Sequence, residues 1–81
     1  MGTGGIIMLR FWKDHQHSND WRIIWSAKGN HETKYEITKQ DALYYVTLIQ
    51  YGRFVQDTGS FSFIKDAIKW ANQDNDYLDG I

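Results

Sequence analysis

The chain contains no cysteine, so disulfide bridges and thiolate zinc sites are both excluded. Small domains often depend on such cross-links for stability. A chain of 81 residues buries only about 60% of the surface that its unfolded form exposes. We therefore expect one domain with one small core, closed either by bulky side chains or by association with another chain.

Long apolar runs are also missing. No stretch of about 18 residues is apolar enough to cross a membrane, and no signal-peptide core is present. Together with the lack of cysteine, this predicts a soluble, cytoplasmic protein with no membrane partner. The net charge of -1 argues against non-specific binding to nucleic acid. Residues 1–40 hold six basic and four acidic side chains, whereas residues 41–81 hold three basic and six acidic.

Motifs for chemistry are absent as well. The sequence has no nucleophile elbow and no glycine-rich turn that follows a strand, so we expect no catalytic residue, no cofactor and no small-molecule substrate. His15, His17 and Asp20 have a spacing that could converge on a metal ion, but solvated loop residues are the commoner explanation, and the question stays open. Asp74 and Asp76 resemble a calcium loop with the wrong spacing.

Aromatic residues are abundant instead, with four Trp, five Tyr and four Phe. Each buries about 150–250 Å², so these side chains can close a core or furnish a binding surface. Most have plausible inward positions. The predicted inward set is Phe11, Trp21, Trp25, Tyr35, Tyr45, Phe54, Phe63 and Trp70.

Three segments divide the chain. Residues 1–5, which contain three glycines, are predicted to be a flexible start or a cloning remnant. Residues 6–73 are predicted to form a single domain, and residues 74–81 an acidic, loosely packed tail.

The front half of the domain predicts strands. Runs of β-branched and aromatic residues over Ile6–Trp12, Trp21–Trp25 and Glu32–Ile37 are separated by polar and glycine-containing stretches. This pattern is typical of three antiparallel strands that open a domain. A further short strand is predicted over Phe54–Gln56.

Residues 42–51 are ambiguous. Their composition favours a strand, yet Thr38 and Asp41 suggest a capped helix start and Gly52 a helix end. Residues 41–46 also match residues 66–71 in type, and the second copy is the clearer helix.

The helix prediction for residues 42–51 sets the fold. A second helix, starting near Ser60 or Ser62 and ending at 72–75, then gives the order βββαβα. This is a small antiparallel sheet of three to four strands covered on one face by two helices. If the first helix fails, residues 43–56 become a hairpin and the fold is a five-stranded meander with one C-terminal helix. Both are α+β folds.

Candidate site residues follow from strand alternation, since every second residue shares a face. Ile7, Leu9, Phe11, Thr33, Tyr35 and Ile37 are predicted to meet the helices, with Trp21, Ile23 and Trp25 from the middle strand. The opposite face presents Arg10, Trp12, Arg22 and Lys34. This face is an ordinary wetted sheet, a protein-binding surface or a nucleic-acid surface.

Tyr44 and Tyr51 are a second candidate surface, because a helix over 42–51 would be apolar nearly all round and needs a cover.

We expect a non-enzymatic binding module, a regulator or inhibitor of a larger assembly, whose partner is another protein or a second copy. The alternative is a nucleic-acid-binding domain that uses the basic, Trp-containing face, with Lys13 and Lys28 as further contacts.

Overall fold

The computed structural model of the protein describes residues 8–30 and 32–79. These residues form five strands and one helix. The elements are β1 (Trp12–Lys13), β2 (Arg22–Lys28), β3 (Thr33–Gln40), β4 (Leu43–Gln50), β5 (Arg53–Phe61) and α1 (Ile64–Asp79). The strands form one antiparallel sheet in chain order. The α+β class is confirmed, and the five-stranded meander with one C-terminal helix is the form it takes.

The predicted helix over residues 42–51 is wrong, and with it the order βββαβα. Asp41 and Ala42 both have positive φ angles, 53° and 66°, as in a type I′ hairpin turn. The chain therefore reverses directly into β4, and Thr38 pairs with Tyr45 within the sheet instead of capping a helix. A helix cap contributes only about 1 kcal/mol, whereas pairing along the whole of β4 buries Val46 and Leu48.

Other boundaries also differ from expectation. The first strand, predicted over Ile6–Trp12, is the two-residue β1, and residues 6–7 lie outside the described residues. Helix α1 continues to Asp79, so residues 74–79 of the predicted loose tail are helical. Residues 1–5 and 80–81 are likewise not described.

No helix among residues 8–30 and 32–79 is long and apolar enough to cross a membrane.

Helix α1 packs across one face of the sheet and forms the core there. Ala67 and Ala71 are fully buried, and their small side chains allow the helix backbone to approach β3 and β4 closely. The N-terminal segment closes the side of the core through Leu9 and Phe11. The predicted alternation is confirmed for Leu9, Tyr35 and Ile37. The buried apolar cluster is Leu9, Ala27, Tyr35, Ile37, Val46, Leu48, Ala67 and Ala71.

Half of the aromatic residues predicted to point inward do so. Tyr35 is fully buried, and Phe11, Trp25 and Trp70 are half-buried against the core. Phe54 has its side chain outside the described part of the chain.

Three of those aromatic predictions are wrong. Trp21 is 66% exposed and Phe63 is 61% exposed, because each lies just before an element, β2 or α1, at a point that the helix does not cover. Tyr45 alternates with the buried Val46 and so lies on the face away from α1, where it is half-buried.

Two asparagines on α1 bind backbone amides elsewhere in the fold. The amide of Leu9 donates to Asn72 Oδ1 at 2.8 Å, and the amide of Asn30 donates to Asn75 Oδ1 at 2.8 Å. Gly29 lies so close to the helix that a Cβ there would be 2.7 Å from Asn75 Oδ1. The polar stretch that predicted a helix end therefore holds the helix to the N-terminal segment and to the β2–β3 loop.

Tyr35→Phe tests a third contact between helix and sheet. The buried hydroxyl of Tyr35 donates to Asp74 Oδ2 at 2.7 Å. Burial, and then the hydrogen bond and charge of Asp74, raise the pKa of Tyr35 above its ordinary value. Removing the hydroxyl should lower the free energy of unfolding by about 1.5–3 kcal/mol, the range for hydrogen bonds to charged groups.

The pH dependence of this contact has a definite sign. Because folding raises the pKa, the contribution is complete below about pH 10, the ordinary tyrosine value, and is lost as the pH rises further. Urea unfolding of Tyr35→Phe should show both the lower stability at neutral pH and a smaller alkaline loss. Tyr77→Phe, which changes an exposed tyrosine of α1, is the control, and equal effects in both variants would contradict the assignment.

Candidate binding surface

Four of the predicted site residues lie on the sheet face away from α1. Trp12 pairs with Ser26, which alternates with the core residue Ala27 and therefore points to that face. Arg22 shares the parity of Ser26, and Lys34 is the cross-strand partner of Lys28. Arg10 lines the same depression as Trp12. The prediction that these residues share one face agrees with this arrangement.

The four residues do not form one cluster. Arg22 pairs with Gln40 and lies four residues from Ser26, about 13 Å along the strand. Arg10, Trp12 and Lys34 gather near the other end of β2. Lys13, a further candidate for nucleic-acid contact, pairs with Trp25 and so lies on the opposite face.

The cluster near the end of β2 surrounds a shallow depression of about 420 Å³ lined by Met8, Arg10, Trp12 and Lys28, which we call the Trp12 patch. Met8 is 61% exposed and Trp12 is 51% exposed. Arg10 and Lys28 are exposed beside them. Two large apolar side chains therefore meet solvent between two cations.

Sequence reasoning left Met8 and Lys28 out of the main site. Met8 has the parity of Arg10 and Trp12, so the alternation that selected those residues could also have selected it. Lys28 was only a secondary candidate because the second strand was predicted to end at Trp25, whereas β2 continues to Lys28 and aligns it with Lys34.

Like charges lie side by side at this end of the sheet. Lys28 and Lys34 are directly opposite, and Arg10 lines the same depression as Lys28. Lys34 has a counter-ion, since its Nζ is 3.2 Å from Glu36 Oε2. Neither Arg10 nor Lys28 forms an ion pair with any residue that the structure describes. Like charges directly opposite each other destabilise a sheet, so the pairing of Lys28 with Lys34 lowers the stability of the fold.

A buried hydroxyl next to Trp12 is also unsatisfied. Ser26 is 1% exposed, and its Oγ has no hydrogen-bond partner within residues 8–30 and 32–79. Leaving a buried polar group unpaired costs roughly 1–3 kcal/mol. Ser26 is the cross-strand neighbour of Trp12, so the unsatisfied hydroxyl lies next to the exposed tryptophan.

Tyr44 and Tyr51 do not form the second surface that was predicted, because the helix that would carry them does not exist. Tyr44 lies in β4 on the α1 face. Its ring centroid is 6.2 Å from that of Trp25, and Lys39 Nζ is 5.9 Å from the Tyr44 ring centroid. Tyr51 lies in the β4–β5 turn with a φ angle of 53° and is largely exposed. The two side chains therefore belong to different surfaces.

The histidine-rich loop is held by its own hydrogen bond. His17 Nδ1 lies 2.8 Å from Asp14 Oδ2, and this bond lowers the pKa of Asp14. His17 is thus paired with Asp14 and not with Asp20. In the described part of the chain, no group of three or more His, Asp or Glu side chains could hold a metal ion. Asp74 and Asp76 lie within α1, not in a calcium-type loop.

A second exposed tryptophan lies on the other face. Trp21, with Ile23 and Lys39, lines a depression of about 280 Å³ beside the Asp41–Ala42 turn. Sequence reasoning missed it because Trp21 was assigned to the core. Trp21 is exposed like Trp12 but lies on the opposite face of the sheet, so it can serve as a matched control for Trp12.

Searches of protein-family models, of curated proteins and of solved structures find no match to this chain.

Quenching of tryptophan fluorescence should separate the four tryptophans into two groups. Trp12 and Trp21 are exposed, whereas Trp25 and Trp70 pack against the core. Iodide should therefore quench two of the four, and Trp12→Phe and Trp21→Phe should each remove one quenched component. An unchanged quenchable fraction in Trp12→Phe would show that the ring is not exposed in solution.

Proposed function

We propose that this chain is a non-enzymatic binding module that recognises a partner protein through the Trp12 patch, and that it acts by regulating or inhibiting a larger assembly. The observation that carries the proposal is the exposure of Trp12 and Met8 between two cations that form no ion pair with the described residues. Trp, Met and Arg are enriched at the centres of protein interfaces, and Trp and Arg dominate the binding energy there.

The free energy gained by covering Trp12 is large enough to contribute to partner binding. Half of a tryptophan side chain is about 100 Å², and covering it would contribute about 2.5 kcal/mol before the costs of association. Met8 adds a flexible apolar contact that can adapt to a partner.

Capture of a partner from extract of the source cells tests this proposal. The immobilised full chain should retain a specific protein, and Trp12→Ala should weaken retention roughly tenfold or more, the effect of losing a central interface tryptophan. Trp21→Ala is the matched control, since it removes an exposed tryptophan from the other face and should retain the partner.

Folding of both variants is verified by circular dichroism before comparison. Retention that survives Trp12→Ala, or that is lost equally in both variants, would contradict binding through the Trp12 patch.

A nucleic-acid-binding function is the second candidate. It is favoured by one observation, that Arg10, Arg22, Lys28 and Lys34 share a face with Trp12. A single-stranded oligonucleotide should then be retarded in a gel at low salt, with binding that falls steeply as salt increases. Arg22→Ala and Trp12→Ala should each weaken it. No retardation of any oligonucleotide at low salt would remove this candidate.

A further inference from the structure

We infer that the partner presents an acidic segment to the Trp12 patch, with a carboxylate set between apolar side chains. This inference rests on the proposed function and specifies the chemistry of the partner.

Arg10 and Lys28 supply the charge, since both line one depression. A carboxylate that enters this depression can approach both cations. An arginine guanidinium binds a carboxylate with two parallel hydrogen bonds. Such a ligand would replace the repulsion between Arg10 and Lys28 with two attractive contacts.

Apolar side chains border the two cations. Met8 and Trp12 line the same depression as the two cations and are both more than half exposed. A ligand that covers them excludes water from the cations, and the attraction of a carboxylate to them strengthens as the local dielectric constant falls. Apolar residues beside the carboxylate are therefore part of the recognition, and a bare anion would gain less.

The surroundings of the Trp12 patch favour a protein over a nucleic acid. A single-stranded nucleic acid needs a continuous basic groove and several aromatic rings for successive bases. On this face, Trp12 is the one aromatic ring among the described side chains of residues 8–13, β2 and β3, and Tyr45 of β4 is half-buried. Glu36 binds Lys34, and Glu32 lines a depression together with Lys28 and Lys34. These carboxylates interrupt the basic surface, so the region that favours an anion has the dimensions of one or two side chains.

A second copy of the chain offers a competing acidic surface. Asp76 and Tyr77 on α1 are exposed and could meet the Trp12 patch of a neighbour. That contact joins two different surfaces, so it builds a ring or an open chain of copies and no closed two-fold dimer. The test below distinguishes this outcome.

Fluorescence anisotropy with labelled peptides of about ten residues, a length that spans a sheet face, tests the inference on the full chain. One peptide alternates Glu with Leu, and the matched probe has Gln in place of each Glu. The Glu peptide should bind, should bind roughly tenfold more tightly than the Gln peptide, and should weaken between about 50 mM and about 300 mM salt. Equal binding of the two peptides, or none by the Glu peptide, overturns the inference.

Variants locate the binding. Lys28→Glu and Arg10→Ala should each reduce the affinity for the Glu peptide roughly tenfold, whereas Lys69→Ala, an exposed cation on α1, should leave it unchanged. An equal loss in Lys69→Ala would mean that only overall charge matters and would overturn the inference. Tighter binding of an oligothymidylate than of the Glu peptide would overturn it in favour of a nucleic acid.

Two readouts keep this inference distinct from the proposed function. If partner capture depends on Trp12 but the Glu peptide does not bind, the acidic chemistry is wrong and the binding module stands. If capture fails as well, both are wrong. Sedimentation of the chain alone covers the remaining case, because self-association that Lys28→Glu and Asp76→Asn both abolish would overturn the inference in favour of a second copy.

Discussion

The fold depends on the close contact between α1 and the sheet. A chain without disulfides has few ways to stabilise a small core, and here two fully buried alanines, Ala67 and Ala71, bring the helix backbone near β3 and β4. Gly29 permits the same closeness at the end of β2. Close approach places the side chains of Asn72 and Asn75 within hydrogen-bonding distance of amides in the N-terminal segment and the β2–β3 loop, so packing and polar contacts reinforce each other.

This contact also positions the candidate site. The segment that carries Met8 and Arg10 precedes the two-residue strand β1. The hydrogen bond from the Leu9 amide to Asn72 fixes this segment in place. Leu9 packs inward, so its neighbours in sequence point away from the core. The helix therefore covers one face of the sheet and holds the N-terminal segment so that the Trp12 patch forms on the other.

Sequence reasoning predicted the strands from period-two alternation, and that alternation also assigned Arg10, Trp12, Arg22 and Lys34 to one face. It failed where tertiary contacts override local preference. Residues 41–46 and 66–71 share a pattern, yet the first forms a turn and a strand that pairs with β3, and the second a helix whose residues Ala67 and Ala71 are buried against the sheet. Ala42 hid the turn, since a non-glycine residue with positive φ is unfavourable and the usual Asn-Gly or Asp-Gly signal is missing. The predicted second helix ended too early, because a polar stretch with asparagines is typical of a helix end, whereas Asn72 and Asn75 are buried within α1.

Several costs to folding coincide at the Trp12 patch. It combines an exposed tryptophan, two cations without an ion pair among the described residues and, on the cross-strand neighbour of Trp12, a buried Ser26 hydroxyl without a hydrogen-bond partner there. Each feature alone is tolerable, but each lowers stability or exposes apolar surface, and a sequence under selection for folding alone would replace them. Costs to folding that coincide on one surface are typical of a functional surface. A partner with a carboxylate and apolar side chains would compensate the cations and cover the tryptophan at the same time.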